Sequence, residues 1–368
     1  MAMDPAELLA GPRGRRLCLE FLLRGYDGTI PPGDPVREAI FRAVYDLDHG
    51  RGTSRAPLTA GGGEPTVSAR SAADLARALE GEPVRAVEEE SLLVSLVGAV
   101  DGARYWQEPE GEDVLAATPE LRVPLTRVAA AIVSSPHTSW WATPAAGTEQ
   151  WSVAFAGLPL PRATGAGRVD EVVDRWRADL IAEEAAAERE RPSDPTANWS
   201  GTWWSRPPSD LIRTTRSLPG RGPGGLRIVE DTMGWESAAA ERVHPVSGAR
   251  VLGIDGPEAW ADLCGRFPLE VTASRRHNWY RATGRAGRWV VPDWSRVARH
   301  VDAVHLSVAG YLTTAGRAIP VGDDGASVLA GWDPDQTFWL SDVRPDPMSR
   351  RTWRYDRDDD WAPVAPDA

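Results

Sequence analysis

Apolar positions recur at helical spacing through much of the first half of the chain and at strand spacing through much of the second. Residues 15–23 form a short apolar segment, 36–47 carry a helical pattern, and the Gly, Pro, Ser and Thr of 50–66 read as a long loop. Ser71 opens a helix on which Ala72, Leu75, Ala78 and Leu79 share a face, and 91–103 and 121–134 are two further periodic stretches. The clearest helix spans 169–191, where Val169, Val172, Val173, Trp176, Leu180 and Ile181 make one stripe among Glu and Arg before Pro192 stops it.

The pattern lapses from 192 to 225. Pro207, Pro208, Pro219 and Pro223 alternate there with Gly220, Gly222, Gly224 and Gly225, which reads as an extended connector. Beyond it, 226–229, 251–254, 289–291, 304–308, 327–330 and 337–340 read as short strands. Helices intervene at 257–267, which has Pro at an early helical position, and at 294–299, capped by Asp293. The expected fold is α+β: an α-rich N-terminal domain over 1–191, a Trp-bearing connector over 192–225, a mixed-sheet α+β domain over 226–343, and an acidic tail over 344–368.

Composition narrows the chemistry. The 368 residues suit two domains at about 150 residues each. All 41 basic residues are Arg, so Walker-type NTPases, pyridoxal enzymes and Lys-dependent kinases are excluded, because each needs an amine at a fixed place. A net charge of -12 opposes non-specific DNA binding and leaves small nucleotides or a protein partner. Cys18 and Cys264, far apart and without metal-like spacing, read as reduced thiols, which with no export signal and no membrane-length apolar run points to the cytoplasm.

Most formal motifs fail on context. Gly220, Gly222 and Gly225 match G-x-G-x-x-G, yet Pro223 interrupts them and a strand is expected to follow where a dinucleotide site needs a helix N-terminus. His300 and Asp302 give half of a facial metal triad, but Asp302 and His305 fall on opposite faces of a strand, so no metal is expected. The densest chemistry begins at Arg275, where Arg275, Arg276, His277, Asn278, Trp279, Tyr280 and Arg281 are consecutive. Such a set suits a pyrophosphate held by Arg275, Arg276 and Arg281 with Trp279 or Tyr280 stacked on a base. It equally suits a surface turn whose Arg residues pair with the abundant Asp and Glu. The tryptophans of 199–204 also have two readings: a platform for sugars, bases or proline helices, or glue that docks the connector.

The tetrapeptide Val304-His305-Leu306-Ser307, followed by Tyr311, Thr313, Thr314, Gly316 and Arg317 and by the strand pattern at 327–329, resembles a stretch of the RNA 2'-phosphotransferases in the NAD-using ADP-ribosyltransferase superfamily. The resemblance implies a split mixed sheet with NAD in its cleft and attack at the nicotinamide-bearing carbon, with His305 and Ser307 at the ribose. The other motifs of that family are missing, and no Glu follows Glu270, so Asp333 or Asp335 would supply the catalytic acid. This makes an NAD-dependent transferase the leading expectation. The alternative is a non-catalytic binding protein that uses Trp- and Arg-rich surfaces.

Overall fold

The computed structural model describes residues 3–23, 39–40, 43–44, 72–81, 83–144, 149–158, 160, 166–356 and 360–364. The expected loop at 50–66 lies outside these residues, and of the helix expected at 36–47 only 39–40 and 43–44 are described, all four helical. The architecture is α+β. Contacts divide the chain into two units, one from the described residues of 2–99 and 108–138 and the other from those of 100–107 and 139–368. The division therefore falls at about 139 and not at 191. The reason is that the segment expected to end an N-terminal domain is tied by ion pairs and caps to elements far downstream.

The first unit is helical: α1 (Pro5–Ala10), α2 (Pro12–Leu23), α3 (Ala72–Glu80), α4 (Glu89–Asp101), α5 (Gly111–Ala116) and α6 (Arg122–Val133). Asp4 starts α1 with a capping box, its side chain accepting from the Ala6 amide while its own amide donates to Glu7. Leu8, Leu17, Phe21, Leu75, Leu96, Leu125 and Ile132 form its apolar interior. Within that interior Arg13 pairs with Asp113 at 2.5 Å and donates to the Ala99 carbonyl, so the guanidinium enters the core with its charge matched.

The second unit holds two sheets. The larger runs β13 (Asp360–Pro363), β12 (Arg344–Asp356), β4 (Ser237–His244), β1 (Gln150–Phe155), β2 (Arg213–Leu218), β11 (Gln336–Trp339), β8 (Ala303–Leu306), β5 (Val251–Ile254), and β3 (Gly222–Pro223) pairs with β2. Only β5 and β8 are parallel in it. The smaller is β6 (Pro268–Glu270), β7 (Arg288–Pro292), β10 (Gly325–Ser327) and β9 (Ile319–Val321). Helices α7 (Ala166–Glu190), α8 (Pro257–Arg266), α9 (Thr272–Thr283), α10 (Trp294–Val297) and α11 (Val308–Thr314) complete the unit, with α7 against α9 and α10 and with α8 against β5, β7 and β9.

Three local expectations change. The glycines at 220 and 222 take positive φ in the tight β2–β3 hairpin, where the ring of Trp353 packs against Gly222. The strand expected at 226–229 does not form: Leu226 ends a short helical turn, Gly224–Leu226, and 227–229 are turn and irregular backbone. The segment expected as an acidic tail forms β12 and β13. It folds because Trp353 and Trp361 are buried with Trp151, Leu226, Ala238 and Ala240, and because Arg227 donates to the Asp360 carboxylate at 2.6 Å and to the Trp361 carbonyl.

Strand register then sorts the side chains of the large sheet. Gln150 lies opposite Arg216, and Thr337 lies opposite both Thr214 and His305. With a period of two, Gln150, Ser152, Thr214, Arg216, Thr337 and His305 share one face. Trp151, Val153, Phe155, Ala238 and Ala240 occupy the other. One face is thus an ordinary aromatic core and the other is a buried polar layer.

Candidate functional site

Arg216 organises the polar layer. Its Nε donates to Asp335 Oδ1 at 2.7 Å and its backbone amide to Oδ2 at 3.1 Å, so one carboxylate takes both. Asp335 stands in the left-handed region at φ 58, a conformation Asp tolerates better than most residues, just ahead of β11. The outer guanidinium nitrogens donate to Thr143 Oγ1 at 2.8 Å and to the Thr143 carbonyl at 2.9 Å, and the Trp140 ring lies 5.2 Å from Cζ.

His305 sits beside this pair. Its Nδ1 is 2.9 Å from Thr337 Oγ1, and its Nε2 is 3.8 Å from Asp335 Oδ1, with no hydrogen-bond partner. Both His305 and Asp335 are 2 % exposed. Burial, reinforced by the Arg216 guanidinium, pushes the imidazole down to about 3, so at neutral pH it is uncharged and its approach to Asp335 is not an ion pair. Burial also raises the Asp335 carboxyl above the ordinary carboxylate range, opposed by Arg216. Thr214 donates to Gln150 and accepts from the Trp339 indole, which extends the layer to β1.

The other expected catalytic residues have defined structural partners. Asp333 is half-buried and accepts from the Glu230 amide and from Gln336 Nε2, and desolvation raises its carboxyl as well. Ser307 is the N-cap of α11, accepting from the Gly310 amide at 2.9 Å. The structure thus brings together His305 and Asp335, while Ser307 serves a helix start and Asp333 a loop.

The guanidinium cluster belongs to α9, a helix the apolar pattern does not announce. Arg275 is buried and meets Glu183 at 3.2 Å, Arg276 meets Glu188 at 2.8 Å, and Arg281 donates to the Trp199 carbonyl at 2.7 Å. Trp279 is fully buried, its indole donating to the Trp203 carbonyl, and Tyr280 is half-buried. Glu184 caps the helix from outside, accepting from the amides of Ala273 and Ser274 at 2.6 and 2.8 Å. These residues, expected to hold pyrophosphate and a base, are the means by which α7 and the Trp-bearing segment are fastened to α9.

What that fastening leaves outside is an aromatic surface. Asn278 accepts from the Gly201 amide and donates to the Trp106 carbonyl, so the 106 and 201 regions meet at one side chain. Trp203 packs edge-on to Tyr105 and to Trp204. Trp106, Trp199 and Trp204 are 38, 39 and 40 % exposed, and Met233, two residues beyond the Asp231 that accepts from the Trp106 indole, is 73 % exposed. Trp203 and Trp279 pack inward, while Trp106, Trp199 and Trp204 are exposed.

Sequence reasoning passed over Arg216, Thr143, Thr337, Glu183 and Glu184. The alternation Thr214, Arg216, Leu218 was available as a strand signal, and the Glu run on α7 was available as a counter-charge to the Arg cluster. Among the described residues no group of three His, Cys, Asp or Glu could hold a metal ion, and no helix is long and apolar enough to cross a membrane. Comparison with protein-family models, with curated proteins and with solved structures finds no match.

Proposed function

We propose that this protein is a non-catalytic binding protein that docks a polypeptide partner on the surface formed by Trp106, Trp199, Trp204 and Met233. The observation that carries the reading is the exposure of three indoles from two distant segments whose backbones are tied to one turn of α9: Asn278 holds the Trp106 carbonyl, Arg281 that of Trp199, and Trp279 that of Trp203, next to Trp204. Trp, Met and Arg are the residues enriched at the centres of protein interfaces, and backbone carbonyls pinned by a buried helix present the rings without a large ordering cost. The reading is further supported by the engagement of Arg275, Arg276 and Arg281 in internal contacts, which leaves none of them idle for a pyrophosphate.

A second reading, NAD-dependent ADP-ribosyl transfer, is supported by the convergence of His305 with Asp335 and Arg216. One paired experiment separates the two. Peptide display on the full chain should enrich aromatic or Pro-rich ligands that are lost when Trp106, Trp199 and Trp204 are replaced by Ser, with circular dichroism unchanged. Stabilisation by NAD together with nicotinamide release that disappears in His305→Ala would overturn the binding reading in favour of the transferase.

A further inference from the structure

The outer fork of Arg216 is filled by neutral acceptors supplied by an exposed residue. Asp335 holds the inner edge of the guanidinium, but its two outward donors go to the hydroxyl and carbonyl of Thr143, which is itself exposed while Arg216 is 7 % exposed. A planar fork with two parallel N–H groups matches the two oxygens of a carboxylate or phosphate, and bonds to such an anion are roughly twice as strong as bonds to neutral acceptors. Thr143 therefore holds the place of a better ligand. The Trp140 ring lies 5.2 Å from Cζ, so the guanidinium is also covered from the segment that leads into Thr143.

Two independent observations point to a ligand here. His305 Nε2 and Ser152 Oγ, on the same face of the sheet as Arg216, are buried without a hydrogen-bond partner. His305 is uncharged and its Nδ1 is engaged by Thr337 Oγ1, so Nε2 offers a donor to an incoming oxygen in the tautomer that carries its proton there. The Arg216–Asp335 pair is neutral as a unit, so a further anion meets no net repulsion from it.

We propose that the exposed residues 142–144, beyond the buried and hydrogen-bonded Trp141, are a displaceable strap, and that Arg216 binds a small oxyanion, a carboxylate or phosphate group, in the place Thr143 occupies. Binding opens the strap while the Asp335 contact to Nε persists. The site is distinct from the aromatic surface and does not depend on it.

The test uses the full chain with inorganic phosphate and with acetate, each against sodium chloride at matched ionic strength. Phosphate or acetate should raise the midpoint of thermal unfolding at millimolar concentration and speed amide exchange across 142–144. Thr143→Val, which deletes the competing hydroxyl with little change of shape, should tighten binding about threefold to tenfold. Arg216→Lys keeps a cation for Asp335 but lacks the fork, and should lose the response. A response to one anion alone identifies the geometry the site prefers and supports the proposal. Equal shifts in chloride, unchanged exchange at 142–144, or a full response in Arg216→Lys would each overturn it.

Discussion

Asp335→Asn probes the polar layer at its centre. Asn preserves the side-chain shape and tolerates the left-handed backbone at φ 58, so what changes is the charge and one acceptor. In the native protein both carboxylate oxygens are used, Oδ1 by Arg216 Nε and Oδ2 by the Arg216 amide, in a setting only 2 % exposed. The variant leaves a buried guanidinium without a counter-charge and turns one donor toward another. Removing one partner of a buried ion pair costs about 3–5 kcal/mol, and the acceptor that Asn retains places this case near the lower end. Against a total stability of about 5–15 kcal/mol that is a large share. In urea it corresponds to a midpoint lowered by about 1 M or more. Arg216→Met on its own should also destabilise, while Arg216→Met combined with Asp335→Asn should cost clearly less than the two singles added, because neither charge is then stranded. A loss below about 1 kcal/mol for Asp335→Asn, or additive singles, would refute the claim that the layer is held by this pair.

Three further outcomes follow from particular contacts. His305 has its proton affinity lowered from 6.5 to about 3, so between those values the unfolded chain binds a proton that the native protein does not, and stability falls as pH drops through that window. The difference in unfolding free energy between the native protein and His305→Gln should therefore change by about 1.4 kcal/mol per pH unit between pH 6 and 4, Asp335 acting in both; equal slopes would contradict it. Glu184→Ala removes the acceptor for two amides at the start of α9 and should cost about 1–2 kcal/mol in chemical denaturation, where a change within a few tenths would show the cap to be idle. Gly310→Ala would place a Cβ 2.1 Å from the Ile254 carbonyl oxygen, a backbone atom that cannot swing aside, so a loss of about 1–3 kcal/mol is expected and a neutral result would show that β5 can shift.

Elements with a strong apolar period were legible from sequence. The stripe from Val169 to Ile181 lies on α7 as expected, and 251–254 and 337–340 coincide with β5 and β11 within a residue. What the pattern missed is what ion pairs and caps hold in place. Helix α9 buries Ser274, Arg275, His277 and Asn278, a polar set with no stripe to detect, and it is stable because Glu183, Glu184 and Glu188 of α7 meet it. Strand β12 alternates charges with Trp353 as its buried anchor, a pattern that reads as tail unless its neighbour Arg227 is known. At the candidate site, His305 was visible as a polar residue on an apolar strand, and Asp335 only as one of two Asp that could stand in for a missing Glu. Arg216, which joins them, was hidden inside a segment that Pro and Gly marked as connector.

The central functional claim is that recognition takes place on the outward tryptophans and not in the buried polar layer. Amide hydrogen exchange on the full chain, with and without a peptide selected by display, tests it most directly. Protection concentrated at 104–106 and 199–204 is the predicted result. Protection concentrated at 303–306 and 333–339, with the tryptophan segments unchanged, would contradict it.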